Sequence, residues 1–417
     1  MNTSGSRAVD KIASTPRTRL AIVISHPIQY YAHFYRCLAA EDSLDLHVFF
    51  CSDIGARTYY DRDMGTNISW ATDLLSGYDY TFLVESSRIH KTGFFSINNP
   101  SIIPALERFS PDVVVCDGYA QLTILWTLLY SRFRGIPVLM TSDSELLHYR
   151  PPLTRFFKRL GLPILLRQYA AFLTRGDNNE KYLNYYGIDN SKMFRCPHTF
   201  DQTIFSSIRI KLDTVKRSFR ATRNIQSNSV LFIFIGKLVA RKRPHDIIDA
   251  AATLFARNSR NSQCILMFAG DGSLRESLEG RAQALGLPCH FLGFINVDIV
   301  PSFYAAADVL IHPADQDPHP LSTCEAAYMG LPMIVSDRVG SIGPTDIVRP
   351  GENAIVYPSG DVGALADAME RLARDPILRK RMGQASLRIA AELDVRRSVR
   401  GVLDAITFVT DRHVAPA

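Results

Sequence analysis

Short apolar runs alternate with stretches of helical periodicity along nearly the whole chain. In the first half, residues 20–24 (LAIVI), 46–50 (LHVFF), 112–116 (DVVVC) and 137–141 (PVLMT) have the length and composition of buried strands, and each ends in a polar turn. In the second half, residues 230–235 (VLFIFI) make the clearest such run, followed by a glycine, a basic loop and a helical pattern over 245–255. Further strands are expected around Leu266, Ile311 and Ile334 and over 354–357, with helices over 364–373, 376–393 and 396–409. Regular strand–helix alternation predicts α/β architecture with parallel sheets. In such sheets the turns at the strands' carboxyl ends gather on one edge, where ligands bind. In the first half those turns carry His26 within SHPIQYY, Ser52-Asp53, Asp117-Gly118-Tyr119 and Ser142-Asp143-Ser144-Glu145.

At 417 residues the chain is too long for one ordinary core, so two lobes are expected. The boundaries read as a disordered polar lead over 1–18, an N-terminal lobe over 19–200, a polar and basic linker over 201–229, a C-terminal lobe over 230–393, and a final helix and tail over 394–417. Hydrophobic residues at 47%, charged residues at 21% and aromatics at 10% are globular values and argue against disorder as the general state. The net charge of +6 is diffuse, and with no recognition motif it gives no support to nucleic-acid binding. Seven cysteines without a C-x-x-C pair suit a reduced, cytoplasmic chain better than a disulfide framework. The opening residues lack the apolar segment of a signal peptide, and the longest apolar stretch, 122–130, falls well short of the ~20 residues of a membrane span. Peripheral contact with the inner membrane surface is a different matter. Residues 150–167 interleave cations with Phe156, Phe157, Leu160, Leu165 and Leu166, which suits either a surface for anionic lipid or a helix covering the first lobe's core; Gly161 and Pro163 interrupt the pattern and favour the core helix.

The chemistry concentrates in two segments of the second half. Asp317-Pro-His-Pro-Leu-Ser-Thr-Cys-Glu325 leads into a helix expected from about Pro320 to Met329 and stopped by Gly330 and Pro332. The amino-terminal amides and positive dipole end of that helix suit a diphosphate, with Asp317 beside it for hydroxyls and Glu325 further along. The bland alternative is a surface loop entering a capped helix. Upstream, Gly236-Lys237 and Arg241-Lys242-Arg243 follow an apolar strand, so this exposed basic loop is either a phosphate cradle or a solvated charge run.

Taken together these segments resemble the retaining glycosyltransferases of family 4, whose second domain carries G-R-L-x-x-x-K and E-x7-E at these positions. The AGDG of residues 269–272, FLGFI of 291–295 and YAAADVLIHP of 304–313 match three further elements of that family, so the resemblance rests on six ordered elements between Gly236 and Pro332. It implies two doubly wound Rossmann-like lobes of GT-B type, with the last helix crossing back to the first lobe. It implies that Lys237 and Lys242 meet the two phosphates of a nucleotide-sugar, that Asp317 contacts the transferred sugar and that Glu325 accepts hydrogen bonds from the ribose. Gly236, Leu321, Ser322, Phe294 and Ile295 would complete the binding wall. The SHPIQY turn resembles the opening of a subgroup of these enzymes, which makes His26 an acceptor-side candidate, although a solvated turn histidine reads nearly as well. Relatives often place a histidine where this chain has Asp117.

Two departures mark the site: Asp317 replaces the usual glutamate, and His319-Pro320 replaces Phe-Gly, which removes one backbone N–H and leaves the donor sugar open. Asp315-Gln-Asp317 matches a cation-binding D-x-D, but the resemblance uses Asp317 for sugar hydroxyls, so neither a metal nor another cofactor is expected. Leaving-group charge would then be met by cations and amides, with same-face attack rather than a covalent intermediate on Asp317. The expected activity is sugar transfer from a nucleoside-diphosphate sugar to a glycan or lipid-linked acceptor, in cell-surface polysaccharide or glycolipid assembly. A same-fold nucleotide-sugar 2-epimerase and a non-catalytic nucleotide-sugar-binding module are the alternatives.

Overall fold

The computed structural model describes residues 17–257 and 263–414. The polar lead expected over 1–18 lies outside the described residues apart from Arg17 and Thr18. The strands run in chain order as β1 (Thr18–Ile24), β2 (Leu44–Phe50), β3 (Tyr59–Asp61), β4 (Thr66–Ile68), β5 (Asp79–Phe82), β6 (Val113–Asp117), β7 (Val138–Ser142), β8 (Ala171–Thr174) and β9 (Met193–Arg195) in the first half. The second half adds β10 (Val230–Ile235), β11 (Cys264–Ala269), β12 (Cys289–Phe291), β13 (Val309–His312), β14 (Met333–Ser336) and β15 (Ala354–Tyr357).

Seven strands form one sheet in the order β5-β2-β1-β6-β7-β8-β9 and six form another in the order β12-β11-β10-β13-β14-β15. Every pairing in both sheets is parallel, which matches the continuous apolar runs: a strand covered by helices on both faces has no reason to alternate. β3 and β4 stand apart as a small antiparallel hairpin with Tyr59 opposite Ile68.

Two expectations are corrected. The segment 201–229 is no linker, because it folds into helices Gln202–Ile210 and Leu212–Ala221. Phe205 and Phe219 from these helices are buried in the second lobe's core, and Lys216 between them pairs with Asp308 at 2.7 Å. The helix after Asp317 runs Leu321–Tyr328, with Pro320 as its N-cap rather than its first residue. Its Pro320 ψ of 125° is extended, and the Pro320 carbonyl accepts from both the Thr323 N–H (3.2 Å) and hydroxyl (2.8 Å).

The final helix, Val395–Val414, crosses to the first lobe, where Val399, Val402, Ala405, Ile406 and Val409 are buried in one cluster with β1 and β2. Ser398 donates to the Pro197 carbonyl at 2.8 Å, and the helix backbone passes β9 so closely that a Cβ on Gly401 would lie 2.2 Å from the Arg195 carbonyl oxygen. Gly401→Ala should therefore destabilise the protein, by roughly 1–3 kcal/mol as overpacking does. Gly280→Ala, in helix Arg275–Ala284 with nothing within 4 Å of the new Cβ, should stabilise it by up to ~1 kcal/mol. Thermal midpoints moving in opposite directions would confirm the crossing contact; equal midpoints would discount it.

Candidate active site between the lobes

The carboxyl edges of the two sheets face each other across a cleft with a cavity of about 440 Å³, within the range of small-molecule sites. Its second-lobe wall begins where β10 ends. Gly236, at φ 148°, abuts Gly270 so tightly that a Cβ on Gly270 would lie 1.9 Å from the Gly236 carbonyl oxygen. Only glycine lets these two turns close side by side, and the turn carrying Lys237 is thereby set against the cleft floor.

Asp317 is the electrostatic centre of that wall. Its carboxylate is ion-paired with Lys242 and accepts from His312 Nε2 at 2.8 Å, while His312 Nδ1 sits 3.3 Å from the Ser322 hydroxyl. The arrangement suits a neutral His312 that donates through Nε2 and accepts through Nδ1, and burial does lower its pKa. Burial opposes ionisation of Asp317 as well, but His312 and Lys242 outweigh it and hold the carboxyl well below the usual carboxylate range. Lys242 is thus not on an exposed loop as expected: its side chain is 12% exposed, as is that of Asp317. Asp315 turns away toward the Ser359 hydroxyl at 3.3 Å, so the two acids of the D-x-D pattern have separate partners. Among the described residues no group of three or more His, Cys, Asp or Glu is placed to hold a metal ion.

Glu325, on the helix Leu321–Tyr328, lines the cleft together with Leu321 and Ser322. One of its oxygens accepts from the Tyr304 hydroxyl at 2.8 Å. Burial pushes its carboxyl up to about 7, with the Tyr304 bond pulling the other way. Phe294 and Ile295 line the same cavity, as the resemblance implied, and so does Arg241 from the basic loop.

Lys237 has a partner that no motif announces. The hairpin β3–β4 of the first lobe reaches across the cleft, and Lys237 Nζ lies 3.0 and 2.9 Å from the two Asp61 oxygens and 3.3 Å from Asp63. The same segment is fastened by Asn296, whose side chain donates to the Ser69 carbonyl (2.8 Å) and accepts from the Ala71 N–H (3.1 Å). Met64 and Trp70 close this side, with the Trp70 ring edge-on to Phe294 at 6.1 Å.

On the first-lobe side, two expected residues are not brought to the cleft. His26 bonds Ser25 at 2.9 Å beside the Gly55 turn, and burial pushes its pKa down to about 4, so it is neither solvated nor a lining residue; Gln29 and Tyr30 of the same turn take that place. Asp117 faces a smaller internal cavity with Arg175 and Tyr31, where burial raises its carboxyl to about 7. The acid that does line the cleft is Asp143, at the end of β7. Its side chain is 41% exposed and accepts from His198 Nε2 at 2.9 Å, and its second oxygen has no protein partner among the described residues. His198 and His319 lie with ring centroids 5.0 Å apart, each with an unpartnered Nδ1. Burial lowers His198 to about 4; for His319 the bond to Asp346 overcomes burial and raises it to about 10. Asp143 sits in a turn that the alternation pattern already placed on the sheet edge, whereas Asp61, Met64 and Trp70 lie on or just after a hairpin without any periodic signal.

The two-lobed parallel fold, with a basic, two-carboxylate cleft between the lobes, is of GT-B type. Residues 215–388 match the family described as Glycosyl transferases group 1, so the second lobe carries that family's domain. Among similar proteins, the alpha-D-kanosaminyltransferase of Streptomyces kanamyceticus is 26% identical over 64% of this chain and 69% of its own length. An N-acetyl-D-galactosaminyltransferase of Campylobacter jejuni that acts on an undecaprenol-linked glycan is 26% identical over 59% of this chain and 61% of its own, and the lipopolysaccharide core glycosyltransferase LpsE of Rhizobium meliloti is 30% identical over 40% and 46%. The chain therefore spans about half to two thirds of these relatives. The fold is shared over 94% of the chain with Anabaena Alr3699/HepE, solved with UDP-glucose (TM-score 0.67, 15% identity, 100% of that chain), and with a glycosyltransferase from Rickettsia africae (TM-score 0.70, 12% identity, 99% of that chain).

The two lysines should separate in a stability assay. Lys242→Ala leaves a buried carboxylate short of its cation and should cost about 3–5 kcal/mol, whereas Lys237→Ala, half-exposed, should cost about 1 kcal/mol or less. Equal denaturation midpoints for both variants would mean that Lys242 and Asp317 are not paired in solution. Neutralising Asp61 and Asp63 together as asparagines should free Lys237 and tighten nucleoside-diphosphate binding severalfold by calorimetry; unchanged or weaker binding would place Lys237 elsewhere when the nucleotide is bound.

Proposed function

We propose that the protein transfers a sugar from a nucleoside-diphosphate sugar to a glycan or lipid-linked acceptor, with retention at the anomeric carbon, in cell-surface polysaccharide or glycolipid assembly. The observation that carries this reading is the cleft itself, in which cations, a helix amino terminus and two carboxylates of unlike environment converge on one cavity. Lys237 and Lys242 flank the diphosphate position, and the first amides of Leu321–Tyr328 supply fixed dipoles beside them. Glu325 takes the ribose through its free oxygen, with the base against Phe294 and Ile295.

Asp317 orients the transferred sugar. Its bonds to Lys242 and His312 fix the carboxylate before the sugar arrives, so little reorganisation is left for the transfer step. Asp143 and His198, opposite on the first lobe, receive the acceptor hydroxyl. No metal or other cofactor is assigned a role, since the cations and amides meet the leaving charge. The chain works in the cytoplasm, in peripheral contact with the inner membrane face. The same-fold 2-epimerase is disfavoured by this basic cradle joined to D-x7-E, and a non-catalytic binding module by the preorganised Asp317.

Incubation with UDP-, GDP- and ADP-sugars should release free nucleotide from one donor class in an acceptor-dependent manner and persist in excess EDTA. Loss with EDTA and recovery with Mn2+ or Mg2+ would overturn the metal-free assignment. Lys237→Ala should lower turnover by ~100-fold or more, the ~2–4 kcal/mol of one lost transition-state cation.

Glu325 gives a pH test. Because its carboxyl is raised to about 7 in the free protein, ribose hydroxyls donating to the ionised form should make nucleotide affinity rise as the pH increases through 7. The nucleotide's own phosphate ionises nearby, so the readout is the difference from Glu325→Gln, which should bind the nucleotide more weakly and lack that rise. Identical affinity and identical pH profiles would remove Glu325 from the ribose.

A further inference from the structure

We propose that the helix Pro152–Leu166 docks the protein on an anionic lipid bilayer, presenting an outward apolar face beside the acceptor edge of the cleft. This deepens the transfer reading by naming the surface from which a lipid-linked acceptor would come. The expectation of a helix covering the first lobe's core is met by Leu162 and Leu166, which are buried, and by Leu165, which is partly buried against the same cluster. Five large apolar residues point elsewhere. Leu153, Phe156, Phe157, Leu160 and Ile164 are 68%, 58%, 63%, 57% and 64% exposed. At ~3.6 residues per turn these five fall within an arc of about 100°, opposite the two buried leucines. A globular helix normally turns its polar face outward. Here both faces are apolar; at the same spacing Arg159 falls roughly 60° outside the exposed arc, and Arg155, exposed at the amino end, on the side of the buried leucines.

The occupant follows from charge. No acidic residue lies between Glu145 and Asp177, while Arg150, Arg155, Arg159 and Arg167 stand on or beside the helix. A protein partner with an apolar groove would not need an acid-free stretch of this length; a surface of anionic headgroups over acyl chains matches both the cations and the apolar face. The helix is also held in place, since Lys158 donates to the Tyr119 hydroxyl at 3.1 Å, just past the end of β6. Its amino end follows directly from the turn that carries Asp143 into the cleft. A bilayer on this face would therefore lie next to the acceptor side and leave the donor wall of the second lobe free.

The test uses the full chain with vesicles of phosphatidylcholine alone and of phosphatidylcholine with phosphatidylglycerol, read by co-sedimentation at low and high salt. Binding is expected to the anionic vesicles, weakened by salt. The triple variant Phe156→Ser, Phe157→Ser, Leu160→Ser should bind at least tenfold more weakly while keeping its thermal midpoint and its nucleotide affinity. Arg155→Glu with Arg159→Glu should abolish the preference for phosphatidylglycerol. Wild type remaining in the supernatant with anionic vesicles, or a triple variant that binds as well as wild type, overturns the proposal. Self-association by sedimentation velocity that the triple variant abolishes also overturns it, because a second copy would then cover the face. Vesicle binding without acceptor-dependent nucleotide release would leave this face intact and remove the transfer reading instead.

Discussion

A buried carboxylate organises the second lobe. Taken out of water alone, Asp317 would cost several kcal/mol, so its position is tenable only with Lys242 and His312 both in place. That requirement ties the basic loop after β10 to a stretch 75 residues further on, which runs from the end of β13 to the entrance of the helix Leu321–Tyr328. The Asp317 carbonyl extends the tie to the Gly340 N–H at 2.9 Å, where a Cβ on Gly340 would meet the Pro318 carbonyl at 2.0 Å.

The lobes are joined by polar contacts rather than by a shared apolar core. Asp177, at the start of helix Asp177–Tyr185, accepts from the Thr345 N–H at 2.9 Å, its own N–H donates to Asp346 at 3.0 Å, and Asn178 donates to the Gly340 and Ile342 carbonyls at 2.9 Å. Arg195 braces the same corner through Asp177 at 2.8 Å. On the other side of the cleft the hairpin reaches Lys237, and the crossing helix ties the chain's end to the first lobe. Hydrogen bonds of this kind fix orientation and can be exchanged for bonds to a ligand without exposing a core, which suits a cleft between lobes that must admit and release a charged substrate.

The cleft also shows how like residues come to differ. Asp317 and Glu325 sit eight residues apart on one loop and helix, yet the first is held ionised by a cation and a histidine and the second is raised to about 7 by burial beside a tyrosine. His198 and His319 stand ring to ring and are driven in opposite directions, one by burial and the other by its bond to Asp346. None of these assignments follows from residue type; each is set by the two or three groups that surround it.

Local pattern was enough for much of the frame. The run 230–235 is β10 and 354–357 is β15 because uninterrupted β-branched and aromatic residues have no other stable use in a doubly covered sheet. Gly236, Lys237 and Lys242 follow the end of β10 and Asp317 follows that of β13, which placed them on the second-lobe wall, with Glu325 on the helix beyond. Residues 201–229 were less legible: two short helices whose few apolar residues are spaced among basic ones look like a linker until Phe205 and Phe219 find a core. What tertiary structure alone decided was everything that crosses between segments. The pairing of Lys242 with Asp317, the reach of Asp61 to Lys237, the choice of Asp143 over His26 and Asp117 as the first lobe's polar contribution, and the outward turn of Phe156 and Phe157 depend on distances between residues remote in sequence. Periodicity fixes which face of an element is apolar, but only the packed molecule fixes what that face meets.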